Sequence, residues 1–218
     1  MAFGELNHLT DGLRKLKNGA LFALIAMVLF IASKFFSINV WIGFMWWPYH
    51  SIALPLGLSL IVVVFALAFA IIALALWFVA IGNFKRYSER YAVGRVGLIL
   101  QVVALTLLAV GSLLYFNLRI TAPPSPLMII SAGGAIAMLF IGIIFGIVGS
   151  ILFGVMLLRL TKERGVDLGF RIAGISYVIG FVFLMIPVIG IIGAILMIAI
   201  LILIYIYSGS SIRSVMTR

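Results

Sequence analysis

The side chains that could carry catalysis or hold a metal are few and scattered along this chain. Histidine occurs only at His8 and His50, on opposite flanks of the first long apolar stretch, so the two cannot bind one metal ion. Cysteine is absent, which excludes disulfides, thiolate nucleophiles and thiolate-bound metals. The chain also lacks a glycine-rich phosphate loop and a Gly-x-Ser-x-Gly nucleophile elbow. The sequence therefore predicts a protein that is not an enzyme and uses no cofactor or metal.

Polar groups are nearly absent from the long apolar stretches, where burying one is costly. No Asp, Glu, His or Arg lies in the middle of a stretch, which argues against a proton-coupled carrier built on a buried carboxylate. Ser131 and Ser150 have no basic partner at the same depth, so neither is expected to act as a nucleophile. Gln101 is the most polar residue inside the stretches, and it either bonds a neighbouring helix or faces a cavity.

Four small residues recur at intervals of four in one stretch: Gly142, Gly146, Ser150 and Gly154. On a helix this spacing places them on one face, where they form a groove that another helix can approach closely. We predict that they are helix-packing residues. The helix that fills the groove belongs either to this chain or to another subunit.

The composition indicates that the apolar stretches are membrane spans. Hydrophobic residues make up 66% of the 218 residues and charged residues 9%, against about 45 to 50% and about 25% in soluble domains. A span needs about 20 apolar residues. The sequence predicts an all-α, polytopic transmembrane helical bundle, with an amphipathic segment, 1–18, before a transmembrane domain, 19–218. Its six spans are predicted at 19–36, 51–82, 96–116, 127–158, 172–187 and 190–207.

The last apolar block, 172–207, is too long for one span. As a straight helix it would extend about 54 Å, whereas the hydrocarbon core is about 30 Å thick. Pro187 removes a backbone donor near its middle, and Gly190 and Gly193 follow, so we predict a tight hairpin between two short spans. A single kinked helix, and so five spans in all, is the alternative.

The positions of the charges favour six spans with both termini in the cytoplasm. Basic residues collect on cytoplasmic flanks, and six spans place 13 of the 15 there, whereas five spans place 11. With the five acidic residues on the same face, its net charge is +8. The formal charge of +10 is thus explained by topology, and nucleic acid is not a predicted partner. We predict that six residues in the two basic connectors contact anionic lipid: Lys85, Arg86, Arg90, Arg159, Lys162 and Arg164.

Two further segments are predicted to lie at the membrane surfaces. On the outer side, Trp41, Trp46, Trp47 and Tyr49 are typical of an interfacial aromatic belt, although the same rings are also suited to lining a binding site. On the inner side, apolar residues recur at intervals of three and four between Phe3 and Leu16, which predicts an amphipathic helix lying on the cytoplasmic surface.

The spans are spaced regularly. The odd spans begin about 77 and 76 residues apart, and the second and fourth begin 76 apart. The connectors also share a Glu-Arg pair, Glu89-Arg90 and Glu163-Arg164. This spacing favours parallel repeats of a two-helix unit. The alternative is that basic loops alternate with lipid-length blocks in any multi-pass protein.

Three segments carry a resemblance to a known family: LRKLKNGALFALIA at the first span, ERYAVGRVGLIL at the third, and LLRLTKERGVDLGFRIAGISYVIGF at the fifth. With these, the chain resembles a family of uncharacterised archaeal multi-pass membrane proteins, of the domain of unknown function 973 type. The resemblance implies an archaeal cell membrane and supplies no catalytic residues.

Two functions from different classes follow from these features. The first is a non-enzymatic structural or accessory subunit of a membrane complex, which has a lipid-contacting basic cytoplasmic face. Its partners would be membrane lipids together with other membrane subunits or a second copy of the chain. The alternative is a small transporter or channel for an apolar or weakly polar solute.

Overall fold

Runs of uncharged Leu, Ile, Val and Ala form helices along nearly the whole chain, because a helix satisfies its own backbone hydrogen bonds within lipid. The computed structural model describes residues 3–46, 53–121, 126–185 and 190–217. Within these ranges the chain is all-α, with six α-helices and no strand. They are α1 Phe3–Trp46, α2 Ala53–Tyr87, α3 Ala92–Thr121, α4 Pro126–Leu160, α5 Gly169–Met185 and α6 Gly190–Met216. The predicted fold class is confirmed.

Five of these helices are long and apolar enough to cross a membrane. The remaining helix, α5, has 17 residues and is shorter than these five. The even helices continue past their apolar blocks into the basic connectors, and each carries a basic residue in its last turn, such as Arg159 in α4 and Arg213 in α6. A cation there interacts favourably with the negative end of the helix dipole and so stabilises the helical turns that follow the apolar block.

The last apolar block forms two helices that pack side by side. A methyl group at Gly180 of α5 would lie 2.9 Å from Ile200 of α6, and Gly169 near the start of α5 contacts Tyr207. The chain therefore reverses direction between α5 and α6, so the last apolar block is a pair of helices, as the predicted hairpin requires, and not a single kinked helix. Pro187 itself lies outside the described residues.

The helices form a closed ring in chain order. Each packs against the next, and α6 packs against α1. Short connections make neighbours antiparallel, so the start of the odd helices and the end of the even helices share one end of the bundle. We call this the basic end, because it carries Arg14, Lys85, Arg159 and Arg213. The main hydrophobic core lies in the half of the bundle next to it.

The core positions repeat along the chain with the predicted spacing. In the even helices, Ala73, Trp77, Ala80, Ile81 and Phe84 of α2 are buried, and so are the residues 76 positions later in α4: Gly149, Phe153, Met156, Leu157 and Leu160. In the odd helices, Gly94, Gly97, Leu98, Gln101 and Ala104 of α3 recur as buried Phe170, Ala173, Gly174, Tyr177 and Gly180 of α5. The first two hairpins also pack alike, since Gly19 lies against Ala73 and Trp77, and Gly97 lies against Gly149 and Phe153.

Several of these equivalent positions meet in the interior. The Trp77 and Phe153 rings stack with centroids 5.2 Å apart. The Tyr177 hydroxyl donates a hydrogen bond of 3.1 Å to Gln101 Oε1. In each pair the two residues are 76 positions apart in the sequence. Equivalent residues of repeated units meet in this way when the units are arranged about an axis along the bundle.

The amphipathic segment at the start of the chain is part of the bundle. It is continuous with the first span in α1, and Leu9, Leu13 and Leu16 are buried in the core. Gly12 packs against the Phe84 ring of α2. The predicted amphipathic pattern is therefore present, but its apolar face is covered by protein, whereas we expected it to lie on lipid.

Away from the basic end, the two longest hairpins project as separate arms. Between residues 61 and 72 of α2 only Ala66 is buried, and between residues 131 and 141 of α4 only Ala135 is buried. Gly111 of α3 packs against Ala135 and Leu139 of α4, and the Phe22 ring of α1 stacks on the Phe69 ring of α2, so each arm is in contact with its own partner helix. The other residues of 61–72 and 131–141 are exposed or half-buried, and all of them except Ser131 are apolar.

Candidate functional site: the basic end of the bundle

Charge is segregated to one end of the molecule. The structure describes the side chains of twelve basic residues and four acidic residues, and all sixteen lie at the basic end. The basic ones are Arg14, Lys15, Lys17, Lys85, Arg86, Arg90, Arg95, Arg159, Lys162, Arg164, Arg171 and Arg213, and the acidic ones are Asp11, Glu89, Glu163 and Asp167. A surface with this excess of cations attracts anions.

A buried carboxylate joins the two connectors at this end. The Tyr87 hydroxyl donates a hydrogen bond of 2.7 Å to Glu163 Oε2, and the Tyr91 hydroxyl donates to Oε1. The Arg90 guanidinium forms an ion pair with the same carboxylate. Arg159 donates a hydrogen bond of 2.6 Å to the Arg90 carbonyl oxygen. We call Tyr87, Arg90, Tyr91, Arg159 and Glu163 the connector clasp.

The second connector is also fixed to the end of α6. Asp167 Oδ2 accepts a hydrogen bond of 2.7 Å from the Ser210 hydroxyl, and the Asp167 backbone N–H donates one of 2.8 Å to Ser211. The other carboxylate oxygen, Oδ1, accepts a hydrogen bond from the Gly169 N–H at the start of α5. Asp167 thus caps the start of α5 and forms hydrogen bonds with the last turns of α6.

The six residues predicted to contact anionic lipid fall into two groups. Lys85 pairs with Glu89 at 3.6 Å, and Arg90 and Arg159 belong to the connector clasp. The other three are exposed and have no ion pair with the acidic side chains that the structure describes: Arg86, Lys162 and Arg164. Within the described residues, only this second group presents cations whose charged groups have neither an ion pair nor a hydrogen bond.

The predicted helix-packing residues lie in contacts within the chain. A methyl group at Gly142 would come 3.2 Å from the Ala104 carbonyl oxygen of α3, and one at Gly146 would come 2.9 Å from the Phe181 ring of α5. Gly154 approaches Gly174 of α5 so closely that a methyl group on either would lie 2.8 Å from the other's carbonyl oxygen. The groove is therefore occupied by α3 and α5.

Ser150, the other residue of this group, is fully buried, and its hydroxyl donates a hydrogen bond of 2.8 Å to the Ile147 carbonyl oxygen of its own helix.

Two buried polar side chains of the helices keep an unpaired group. Gln101 is buried and accepts its hydrogen bond from Tyr177, while its Nε2 group has no partner among the described residues. The Ser208 hydroxyl is likewise buried without a partner in that part of the chain. In the described ranges, no three His, Asp or Glu side chains gather as a metal site.

Sequence reasoning missed the connector clasp. Glu163 reads as a loop residue among basic neighbours, and nothing in its local pattern indicates burial. The available signal was the 76-residue repeat, since Tyr87 and Glu163 occupy equivalent positions. The side chains of Trp41, Trp46, Trp47 and Tyr49, predicted as interfacial anchors, lie outside the described residues.

The fold and its surface define an integral membrane protein with several membrane-spanning helices. No family model, no curated protein and no solved structure matches the chain. The resemblance to the archaeal membrane family therefore stays a prediction.

Proposed function

We propose that the protein is a non-enzymatic accessory subunit of a cell-membrane complex, with its basic end in the cytoplasm and in contact with anionic lipid. The observation that carries the proposal is the uncovered small-residue face of α4 in the projecting arm. Gly133, Gly134 and Ala137 are exposed there, and among the described residues no side chain or neighbouring helix lies within 4 Å of a methyl group built at either glycine.

Such a face suits another transmembrane helix. Gly133 and Ala137 are four residues apart and so lie on the same side of α4. Small residues at this spacing allow two helix backbones to approach closely within lipid, where close packing drives association. The predicted groove from Gly142 to Gly154 is filled by the chain's own helices, so a partner helix would contact the part of α4 beyond it.

The packing of the basic half supports a subunit over a transporter. The Trp77, Phe153 and Tyr177 rings pack together in the interior, with Phe153 and Tyr177 centroids 4.9 Å apart. Around them lie fully buried aliphatic side chains such as Leu98 and Ile200. A solute crossing this half would have to displace a close-packed core.

The predicted lipid contact rests on the exposed cations of the connectors. Arg86, Lys162 and Arg164 have no ion pair within the described residues. Each basic side chain near an anionic membrane surface contributes about 1 kcal/mol of attraction. Charge attraction would thus hold this end of the bundle against anionic headgroups.

Native mass spectrometry after purification in mild detergent tests the subunit role. We expect the chain to travel with a stoichiometric partner, or as a homo-oligomer, and Gly133→Leu to release the single chain because the added side chain keeps the helices apart. Ala68→Leu adds similar bulk to an exposed position of the α2 arm and serves as the matched control. A single wild-type chain whose melting temperature rises with added solute would overturn the proposal in favour of transport.

Cysteine labelling tests the orientation. Because the chain has no cysteine, Arg164→Cys would give one reactive thiol on the second connector. In intact cells we expect a membrane-impermeant maleimide to leave this thiol unmodified until the membrane is permeabilised. Labelling of intact cells would place the basic end outside.

A further inference from the structure

A second group of cations follows the contact between α1 and α6, away from both connectors. Lys17 of α1 lies at its centre, with Nζ 4.7 Å from the centroid of the Tyr205 ring of α6. The same Nζ lies 3.6 Å from the position that a methyl group on Gly209 would take. The ammonium group therefore lies between the two helices, beside Gly209.

Two arginines extend this group toward the basic end. Arg14 precedes Lys17 by about one turn of α1, and Arg213 follows Gly209 by about one turn of α6. Because α1 and α6 run antiparallel, both steps lead in the same direction along the contact. Arg14 and Arg213 are exposed, whereas Lys17 is half-buried. We call Arg14, Lys17, Tyr205, Gly209 and Arg213 the α1–α6 seam.

The seam has little acidic charge to balance it. Of the four acidic side chains that the structure describes, Glu89 and Glu163 pair with the connectors, and Asp167 bonds to Ser210 and to the Gly169 N–H. The fourth, Asp11, lies six residues before Lys17 and so about 120° around α1 from it. No ion pair joins Asp11 to the seam within the described residues.

The position of Lys17 along the membrane normal indicates which kind of anion it would bind. It lies two residues before Gly19, where the first apolar stretch begins, and Tyr205 lies in the last apolar turns of α6. This is the level of lipid headgroups, where Lys side chains and Tyr rings are commonly found. A half-buried ammonium without a carboxylate loses hydration, and a phosphate oxygen at the same level would compensate for it.

We propose that the α1–α6 seam is a binding site for the phosphate of an anionic lipid headgroup, with Lys17 as its central cation. In this site Lys17 contacts the phosphate, Tyr205 holds the ammonium in place through its ring face, and Arg14 and Arg213 attract the headgroup from the aqueous side. This inference rests on the proposed lipid contact of the basic end and assigns the tightest part of that contact to α1 and α6. The connectors then contribute weaker, unspecific attraction.

Lipid titration followed by native mass spectrometry tests the site on the full chain in detergent. The probes are phosphatidylglycerol and, as the zwitterionic reference, phosphatidylcholine. We expect wild-type protein to retain phosphatidylglycerol preferentially and Lys17→Gln to weaken that binding about tenfold, since one charge-assisted hydrogen bond to phosphate is lost. Lys17→Arg keeps the charge and should restore most of the affinity. Arg171→Gln removes one exposed charge from the start of α5, outside the predicted lipid-contact residues, and should change binding less than twofold.

The outcomes separate the site from the broader lipid role. Wild-type protein without preference for phosphatidylglycerol would overturn both the lipid contact and the seam. A preference that Lys17→Gln leaves intact, or that Arg171→Gln lowers equally, would overturn only the seam. Displacement of the lipid by millimolar inorganic phosphate would assign the seam to a free anion and contradict a headgroup site. A circular-dichroism melt of each variant checks that the helices remain folded.

Discussion

The two connectors at the basic end contain the same Glu-Arg pair in opposite environments. In the first connector the Glu89 side chain is 80% exposed and pairs only with Lys85, four residues earlier in the chain. In the second, the Glu163 side chain is 6% exposed and binds Arg90 and Tyr91 of the first connector together with Tyr87 at the end of α2. A shared sequence motif therefore produces a surface ion pair in one unit and a tie between units in the other.

Connector length explains the difference. Four residues, 88–91, join α2 to α3, and Glu89–Tyr91 form a tight 3-10 turn that leaves Glu89 in solvent. Eight residues, 161–168, join α4 to α5, because α4 ends at Leu160. The longer segment folds back over the bundle with Gly165 at a φ of 89°. The extra length carries Glu163 inward to the first connector.

Replacing the two glutamates in turn should give the largest contrast. We expect Glu163→Ala to lower the free energy of unfolding by about 3 kcal/mol, because it removes the acceptor of two hydroxyls and the partner of a guanidinium at a buried position. Glu89→Ala removes an exposed pair and should change it by about 0.5 kcal/mol or less. Unfolding by a denaturing detergent, followed by circular dichroism, measures both. Equal losses would mean that the connectors are held alike.

The turn within the second connector should give the next largest effect. Gly165 has a left-handed backbone, and a methyl group there would also lie 3.2 Å from Val215. We expect Gly165→Ala to cost about 1 to 2 kcal/mol of stability. Gly82→Ala in α2 is the matched control, since no atom of the described residues lies within 4 Å of a methyl group at Gly82, and alanine favours a helix. A stable Gly165→Ala variant would show that the connector has another accessible conformation.

Removing one hydroxyl from the connector clasp should have a smaller effect than either change. Tyr91 is fully buried, and Tyr91→Phe keeps its ring while deleting one donor to Glu163. We expect a loss of about 1 kcal/mol. In the double variant with Glu163→Ala, most of this loss should vanish because the acceptor is already gone. Additive losses would place the role of Tyr91 in its packing against Phe84 instead.

Hydropathy and charge predicted most of the fold because both act through the solvent. Apolar runs located the helices, and the distribution of basic residues between the loops correctly favoured two helices over one kinked helix in the last apolar block. The placement of Leu9, Leu13 and Leu16 was not predictable in this way. An amphipathic face is satisfied equally by lipid and by neighbouring helices, and local periodicity does not distinguish the two.

The site was less accessible to sequence reasoning. Cations were assigned to lipid contact by their position in loops, but a loop residue such as Arg90 can turn toward a buried carboxylate that lies 73 residues away. Gln101 and Tyr177 belong to different helices, and their pairing follows only from how the units pack. Contacts of this kind depend on tertiary structure. Composition and spacing therefore indicate which residues could form such a contact, but not which residue each of them contacts.

The outermost contact of the connector clasp should matter least. Arg159 donates to the Arg90 carbonyl oxygen at an exposed position, where water can replace the bond. We expect Arg159→Gln to lower the free energy of unfolding by about 0.5 kcal/mol or less, in the same detergent assay. A loss as large as that of Glu163→Ala would reverse the comparison. It would mean that the second connector holds the first mainly through a backbone carbonyl, and that burial of Glu163 follows from this contact.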